Sequence, residues 1–500
     1  MESFLPLYMV TPLAAAFLIP LVGRVFSAFA RTITPLVFLL LLILGIHYLL
    51  SGISSPLTYE VGGWQPVNGI PIAIYLVLDG FSTILLITIN LIAFLAAFYS
   101  ISYMKKYTAE NNYYTLFCLM VAGMNGVVLT GDLFNLYVFL EIAAISSYAL
   151  VAFGVEKTEL EASFKYQVLG GMASLLILLA IGLLYWATST LNITDISHIL
   201  MIQGDNKIIL FIQILLITGF GLKAAMVPFH AWLPDAHSSA PSPISAMLSG
   251  ILIKAIGVYV LFRLLFNMFT LTYEIALTIT VLAVLSMVIG GILAIGQQDY
   301  KRLLAYSSIS QVGYILLAMG IGMMVLAQNG AKEIAALAIL GGLFHLINHA
   351  VFKGLMFMNA GAVEHATGIR DLAKLGGLAK WLPLTSATSF TGSMAISGIP
   401  PFSGFFSKLI IIIAAIQANY YLLAFLAALV SIITLAYFLK LQKNIFYATF
   451  PEHIERVRKI PFTMKCSMVM LAILCLAMSL LIIPGIRDIV LIPAVEVLID

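Results

Sequence analysis

The sequence predicts an all-α polytopic membrane protein of about fourteen transmembrane helices, built around two inverted five-helix repeats that each carry a broken helix. Three observations predict it. The chain of 500 residues is 62% hydrophobic and only 9% charged, whereas soluble domains are about a quarter charged. Its apolar runs reach roughly twenty residues without strand-type alternation, so the spans are helices. Two runs are interrupted by proline, five spans apart, and each has a lysine beside the break: Lys223 before Pro228, and Lys408 after Pro400 and Pro401. Freed backbone groups at membrane depth are tolerated only inside protein or beside a hydrated cavity.

In chain order, the spans centre near Ala14, Leu41, Ile87, Ala122, Ile142, Leu176, Ile217, Leu252, Leu285, Ile315, Leu346, Thr391 with its continuation to Ile412, Ala428 and Leu474. Residues 1–111 hold the first three. Residues 112–270 form the first five-helix unit, 271–445 the second, and 446–500 the last span and a short tail. An odd number of spans per unit inverts one unit relative to the other. The third run, from Ile72 to Tyr103, is long enough to tilt. Glu2 and the lack of a basic leading segment predict that the first run is retained.

Loop charges orient the chain. Arg24, Arg31, Lys105, Lys106, Lys157, Lys301, Arg302, Arg370, Lys374, Lys380, Lys440, Lys443, Arg456, Arg458, Lys459 and Lys465 fall on one side; only Lys207, Arg263, Lys332 and Arg487 fall on the other. The positive-inside bias makes the first side cytoplasmic and puts both termini outside a cell membrane. A net charge of +3 implies no nucleic-acid partner. Cys118, Cys466 and Cys475 stand singly, so neither disulfides nor a cysteine-bound cluster is expected. Walker and GxGxxG motifs are absent, and no cofactor or metal is expected. Energy then comes from an ion gradient or from partner subunits.

The remaining charges carry the chemistry. Lys223, Lys254 and Lys408 lie deep in apolar runs, where lysine is costly and marks function. Lys165 and Lys353 lie closer to helix ends, from which a long side chain snorkels. Glu141 is the one mid-span acid; Asp79 and Asp132 read as interfacial. Desolvation favours the neutral forms of a carboxyl and an amine, and mutual proximity favours the charged ones. At about 4 Å and an effective dielectric of about 20, that proximity is worth about 4 kcal/mol, enough to switch protonation when a neighbour moves. The alternative is a static ion pair that fixes helix packing, but the deep lysines outnumber the deep acid. His345, Asn348, His349 and Lys353 share one helix face at i, i+3, i+4 and i+8. A histidine pair there relays protons or makes a helix contact; no third ligand supports a metal. His230, Asp235 and His237, at the end of the broken seventh span, are a proton access point or helix caps. Tyr306, Ser307, Ser310 and Gln311 hold ordered water or pack helices.

Five segments, GDLFNLYVFLEI, GFGLKAAMVPFHAWLPDAHSSAPSPISAMLSGILIKAIGVY, QQDYKRLLAYSSISQVGY, HLINHAVFKGLMFMNAG and GIPPFSGFFSK, closely resemble the antiporter-like subunit family over roughly Tyr113 to Tyr437. That family comprises the L, M and N subunits of respiratory complex I, the A and D subunits of Mrp cation/proton antiporters, and related subunits of membrane-bound hydrogenases. The resemblance implies the fourteen-helix fold. It implies that Glu141 pairs with Lys223, that Lys254, His345 and His349 form a central polar axis, and that Lys408 is the terminal proton-handling residue. The M subunit of complex I typically has glutamate where Lys408 stands, which disfavours it; the L subunit of complex I and the Mrp A subunit extend beyond the last span. The Mrp D subunit and its equivalents in hydrogenase-type or sulfane-reductase-type complexes fit best.

The function expected is a proton-translocating membrane protein, seated in the lipid bilayer with other membrane subunits and moving protons, with Na⁺ as a second candidate ion. One buried carboxylate is a meagre sodium site. The alternatives are a complex I pumping subunit, a stand-alone transporter of a small solute, and a passive scaffold for a redox module.

Overall fold

The computed structural model describes residues 2–26, 28–52, 55–64, 71, 73–204, 206–454 and 456–499. The helices are α1 (Leu7–Val22), α2 (Phe29–Leu50), α3 (Gly80–Tyr103), α4 (Glu110–Leu129), α5 (Leu133–Val151), α6 (Lys157–Thr188), α7 (Ile193–Gln203), α8 (Lys207–Lys223), α9 (Trp232–Ser239), α10 (Ser242–Met247), α11 (Val260–Asn267), α12 (Tyr273–Ile295), α13 (Tyr300–Ala327), α14 (Lys332–Thr367), α15 (Pro383–Ser397), α16 (Ser403–Gln417), α17 (Tyr421–Gln442), α18 (Phe462–Ala477), α19 (Pro484–Val490) and α20 (Ile492–Ile499). A two-stranded antiparallel ribbon, β1 (Leu57–Glu60) with β2 (Tyr75–Leu78), precedes α3.

Among the described residues, twelve helices are long and apolar enough to cross a membrane. One of them, Ser242–Asn267, runs from α10 to α11 through two π-helical segments, Leu248–Leu252 and Lys254–Tyr259. The expected seventh and twelfth spans are the split pairs α8/α9 and α15/α16. The count of fourteen therefore takes each split pair as one crossing. The chain is a multi-pass helical membrane protein. The expected start of the third run, Ile72, lies outside the described residues; its helix begins at Gly80, where Asp79 and Ser82 form a capping box. The amphipathic α7 was not anticipated, because eleven residues is too short for a span signal.

α14 organises the bundle. Its 36 residues extend about 54 Å, well beyond a hydrocarbon core of about 30 Å. It packs on α3, α10, α13, α15, α16 and α18, so its residues from Ala338 to Val363 are buried. A helix covered on all sides by other helices can hold polar groups away from lipid.

At each break, side chains bond backbone groups near the interruption. At the first, Ala225 has a left-handed φ of 54° and the Val227–Pro228 bond is cis. The Val227 N–H donates to Ser286 Oγ on α12 (2.9 Å), and Trp232 Nε1 donates to the Leu222 carbonyl at the end of α8 (3.0 Å). At the second, Gly398 closes α15 with a φ of 77°, and the Pro400–Pro401 bond is cis. There Asn348 Nδ2 donates to the Ser403 carbonyl (3.1 Å). Partners from neighbouring helices are what make broken backbone tolerable at membrane depth.

Candidate functional site

The candidate site comprises two sets of buried polar side chains, the Glu141–Lys223 pair and a group of lysines and histidines around α14. In the first, Lys223 closes α8 and Glu141 lies mid-α5. Lys223 Nζ is 3.7 Å from Glu141 Oε1, a contact longer than a hydrogen bond. Ser174 of α6 fills the gap: Lys223 donates to its Oγ (2.9 Å), and its one hydroxyl hydrogen has two acceptors, Glu141 Oε1 and the Gly170 carbonyl (3.0 Å). Tyr148 OH is a further acceptor for Lys223 at 3.4 Å. The lysine side chain is 1% exposed and the glutamate 24%. Ser174 and Tyr148 escaped the sequence reading, since a serine in an apolar helix most often donates to its own preceding turn; only its position opposite a lysine singles it out.

Lys254 lies in the second π-helical segment, fully buried. Its Nζ donates to the Ser249 and Gly250 carbonyls of its own helix. α13 contributes through Ser308, whose Oγ is 2.6 Å from Ser249 Oγ. His349 sits within electrostatic range of Lys254, Lys353, His345 and His237. The structure thus gathers Lys254, His237, His345, His349 and Lys353 into one neighbourhood, from three separate sequence segments. His345 Nδ1 meets Ser407 Oγ at 3.0 Å.

Lys353, a candidate for snorkelling, is fully buried. It donates to the Leu304 carbonyl (2.9 Å) and to Ser307 Oγ on α13. Lys408 of α16 donates to the Ile396 carbonyl (2.8 Å) in the last turn of α15, where helical partners run out. It also lies 4.6 Å over the Tyr314 ring, a cation–π contact. Among the described residues Lys254, Lys353 and Lys408 form no ion pair, in contrast to Lys223. Several of these buried groups lack any hydrogen-bond partner among the described residues: both ring nitrogens of His237 and of His349, His345 Nε2, and the Gln311 amide. Buried polar groups are satisfied in nearly every protein, and a run of such groups is what ordered water occupies.

Other candidates lie outside these two sets. Asp235 faces away from the histidines and pairs with Arg302 (2.5 Å) and Lys165 (3.1 Å) at a surface cavity. His230 is half-buried near the first break. Tyr306 is half-buried beneath the Arg302 guanidinium, and Ser310 donates to the Met287 carbonyl of α12 (2.8 Å). The inward face of α13 is instead Ser307, Gln311 and Tyr314, at i, i+4 and i+7. No cluster of metal-ligating side chains occurs among the described residues.

Three charges sit differently from expectation. Arg263, expected in a loop, lies inside α11 and pairs with Asp79 at 2.8 Å. Burial works against the Asp79 carboxylate, but the Arg263 guanidinium and the Ser82 hydrogen bonds outweigh it and hold the group below the usual carboxylate range. Asp79, expected at the interface, is therefore a buried cap. Lys301, also expected in a loop, is 2% exposed.

Comparison with known proteins agrees with the sequence resemblance. Residues 130–434 match the family model described as "NADH:quinone oxidoreductase/Mrp antiporter, TM", and residues 64–114 match that of the complex I chain 5 N-terminus. The chain is 34% identical over 404 residues to the N subunit of NADH-quinone oxidoreductase from Desulforudis audaxviator, covering 80% of this chain and 77% of that one. It is 34% identical over 388 residues to the D subunit of the Na⁺/H⁺ antiporter from Alkalihalophilus pseudofirmus, covering 76% and 74%. In three dimensions it superposes on a chain of the Mrp complex from a Dietzia species with a TM-score of 0.88 at 28% identity, covering 100% of this chain and 98% of that one. The same TM-score and coverage, at 30% identity, hold for a chain of an archaeal membrane-bound sulfane sulfur reductase.

Proposed function

Since the chain belongs to the NADH:quinone oxidoreductase/Mrp antiporter family of membrane subunits, we propose that it is the proton-translocating antiporter-like subunit of a multisubunit membrane complex, of the Mrp D-subunit type or its equivalent in a sulfane-reductase-type complex. One observation carries this reading. Lys254, Lys353 and Lys408 are buried with no ion-pair partner among the described residues, together with His237 and His349, whose ring nitrogens have no hydrogen-bond partner there. A scaffold has no use for so many buried cations without counter-charges, which cost stability wherever they stand.

In the mechanism, Glu141 and Lys223 form the coupling end. When they approach, both stay charged; when they part, the lysine proton is released inward. Ser174 bridges them and passes hydrogen bonds in either direction. Lys254, His349, His345 and Lys353 carry the proton through water held by the unpartnered groups, and Lys408 hands it on at the second break. Lys254, Lys353 and Lys408 each rest on a backbone carbonyl, which accepts a hydrogen bond from an ammonium or an amine alike. Asp235, His230, Tyr306 and Ser310 serve access and packing rather than the path itself. The path divides between the unit of residues 112–270 and the unit of 271–445, with 1–111 and 446–500 flanking them. The charged-loop side is cytoplasmic and both termini face outward in a cell membrane, by the positive-inside bias.

Purification of the intact complex in mild detergent tests the assembly. Small hydrophobic partners alone indicate an Mrp-type antiporter, and partners bearing nickel–iron or iron–sulfur centres indicate a redox-driven pump. The likeness to the sulfane sulfur reductase chain supports the second outcome as strongly as the first. Isolation as an active single-chain transporter defeats both.

A further inference from the structure

A cavity of about 540 Å³ opens on the charged-loop face, between the starts of α6 and α13 and the ends of α3 and α14. Its walls mix acids with bases, among them Glu159, Asp235, Lys165 and Arg302. Such a mixture holds water and protons rather than a single-sign ligand. Its floor is unusual. Lys301 is buried there, with Nζ 3.7 Å from Glu364 Oε2 and donating to the Ala240 carbonyl at 2.9 Å. Glu364 keeps 22% of its side chain exposed, so the cavity reaches it.

Beside Glu364 lies Tyr103, buried, whose one hydroxyl hydrogen has two acceptors, Glu364 Oε2 at 3.4 Å and Ser242 Oγ at 3.3 Å, and whose oxygen also accepts from Lys106 Nζ at 3.4 Å. Ser242 opens α10 and is packed so closely on Gly361 of α14 that a side chain there would overlap it. One turn on, Ser245 donates to the carbonyl of His237 (2.8 Å). The buried His237 ring has both nitrogens unpartnered and lies within electrostatic range of Lys254 and Lys353.

We infer that this cavity is the proton intake of the axis, that Glu364, Tyr103 and Ser242 relay protons from its floor towards His237, and that Lys301 is the fixed charge that keeps metal cations out. The inference rests on the axis being a proton path. A hydronium ion in the cavity gives its proton to the Glu364 carboxylate and leaves as water. That proton passes to the Tyr103 oxygen as the Tyr103 hydrogen passes to Ser242 Oγ, and the Ser242 hydrogen moves on to water, which carries it to the His237 ring. Each oxygen gains one hydrogen and loses one, so a single proton is transferred. A metal cation cannot follow, because it needs several oxygen ligands at once and meets the buried ammonium of Lys301, a barrier of the kind that excludes cations from other pores.

The test measures proton uptake by membrane vesicles carrying the whole complex, with assembly checked on native gels. Glu364→Gln and Tyr103→Phe are expected to slow uptake by about tenfold or more, and Glu364→Asp to keep at least about a third of the rate, since it keeps the carboxylate. Lys408→Ala is the control for the axis. If Lys408→Ala is inactive while Glu364→Gln and Tyr103→Phe run at the wild-type rate, the intake is overturned and the axis stands. If Lys408→Ala also runs at the wild-type rate, the axis reading fails first. Should Glu364→Gln fail to assemble, Tyr103→Phe decides alone, because it keeps the ring and its packing: slowed uptake supports the relay, and an unchanged rate overturns it.

Discussion

Replacing Glu141 by glutamine removes the charge that answers Lys223 while leaving the side-chain volume nearly unchanged. At 3.7 Å and an effective dielectric of about 20, the two unit charges interact by about 4 kcal/mol. The glutamate is 24% exposed, so solvent screens the interaction to about 2 kcal/mol. If that coupling drives the lysine's release of its proton, its loss slows transport by about thirtyfold or more. Glu141→Asp, which draws the carboxylate back by one methylene, falls between glutamine and wild type. The assay is dye-monitored ion exchange by vesicles bearing the complex, with subunit content measured in parallel. Wild-type exchange by an assembled Glu141→Gln complex refutes the coupling role and leaves the pair a packing contact.

Three other outcomes are expected. Ser174→Ala removes the hydroxyl between Lys223 and Glu141, a bridge worth about 1 kcal/mol net, and slows exchange by about fivefold in the same assay; a larger loss than for Glu141→Gln contradicts the proposed order of events. His349→Phe keeps an aromatic ring but ends proton carriage, so exchange is lost while the complex still assembles on a native gel. The Asp79–Arg263 pair acts on stability: the carboxyl is held below its usual range, so its contribution is present at neutral pH and is lost as pH falls through the depressed value. Asp79→Asn therefore destabilises the protein in detergent at pH 7 by about 3 kcal/mol, the cost of an uncompensated buried charge, and is read as a lower unfolding temperature. The variant also shows a shallower loss of stability on acidification.

Much of this protein is determined by its sequence alone, because the bilayer reads hydropathy one segment at a time. A run of about twenty apolar residues must become a helix. Pro228 and the Gly398–Gly404 turn had to break theirs, and lysine at depth had to be buried in protein. Lys223, Lys254 and Lys408 were legible for that reason. What hydropathy does not encode is rotation about each helix axis, since a helix apolar on every side has no face to read. Only packing turned Ser307 and Gln311 inward and left Tyr306 and Ser310 to the side. Partners are likewise supplied by distant segments: Ser174 reaches Lys223 across 49 positions and Glu364 reaches Lys301 across 63. Tertiary structure therefore decided which buried charges are paired. It drew Arg263 and Lys301 out of the loops, and it separated Asp235 from the histidine beside it in sequence.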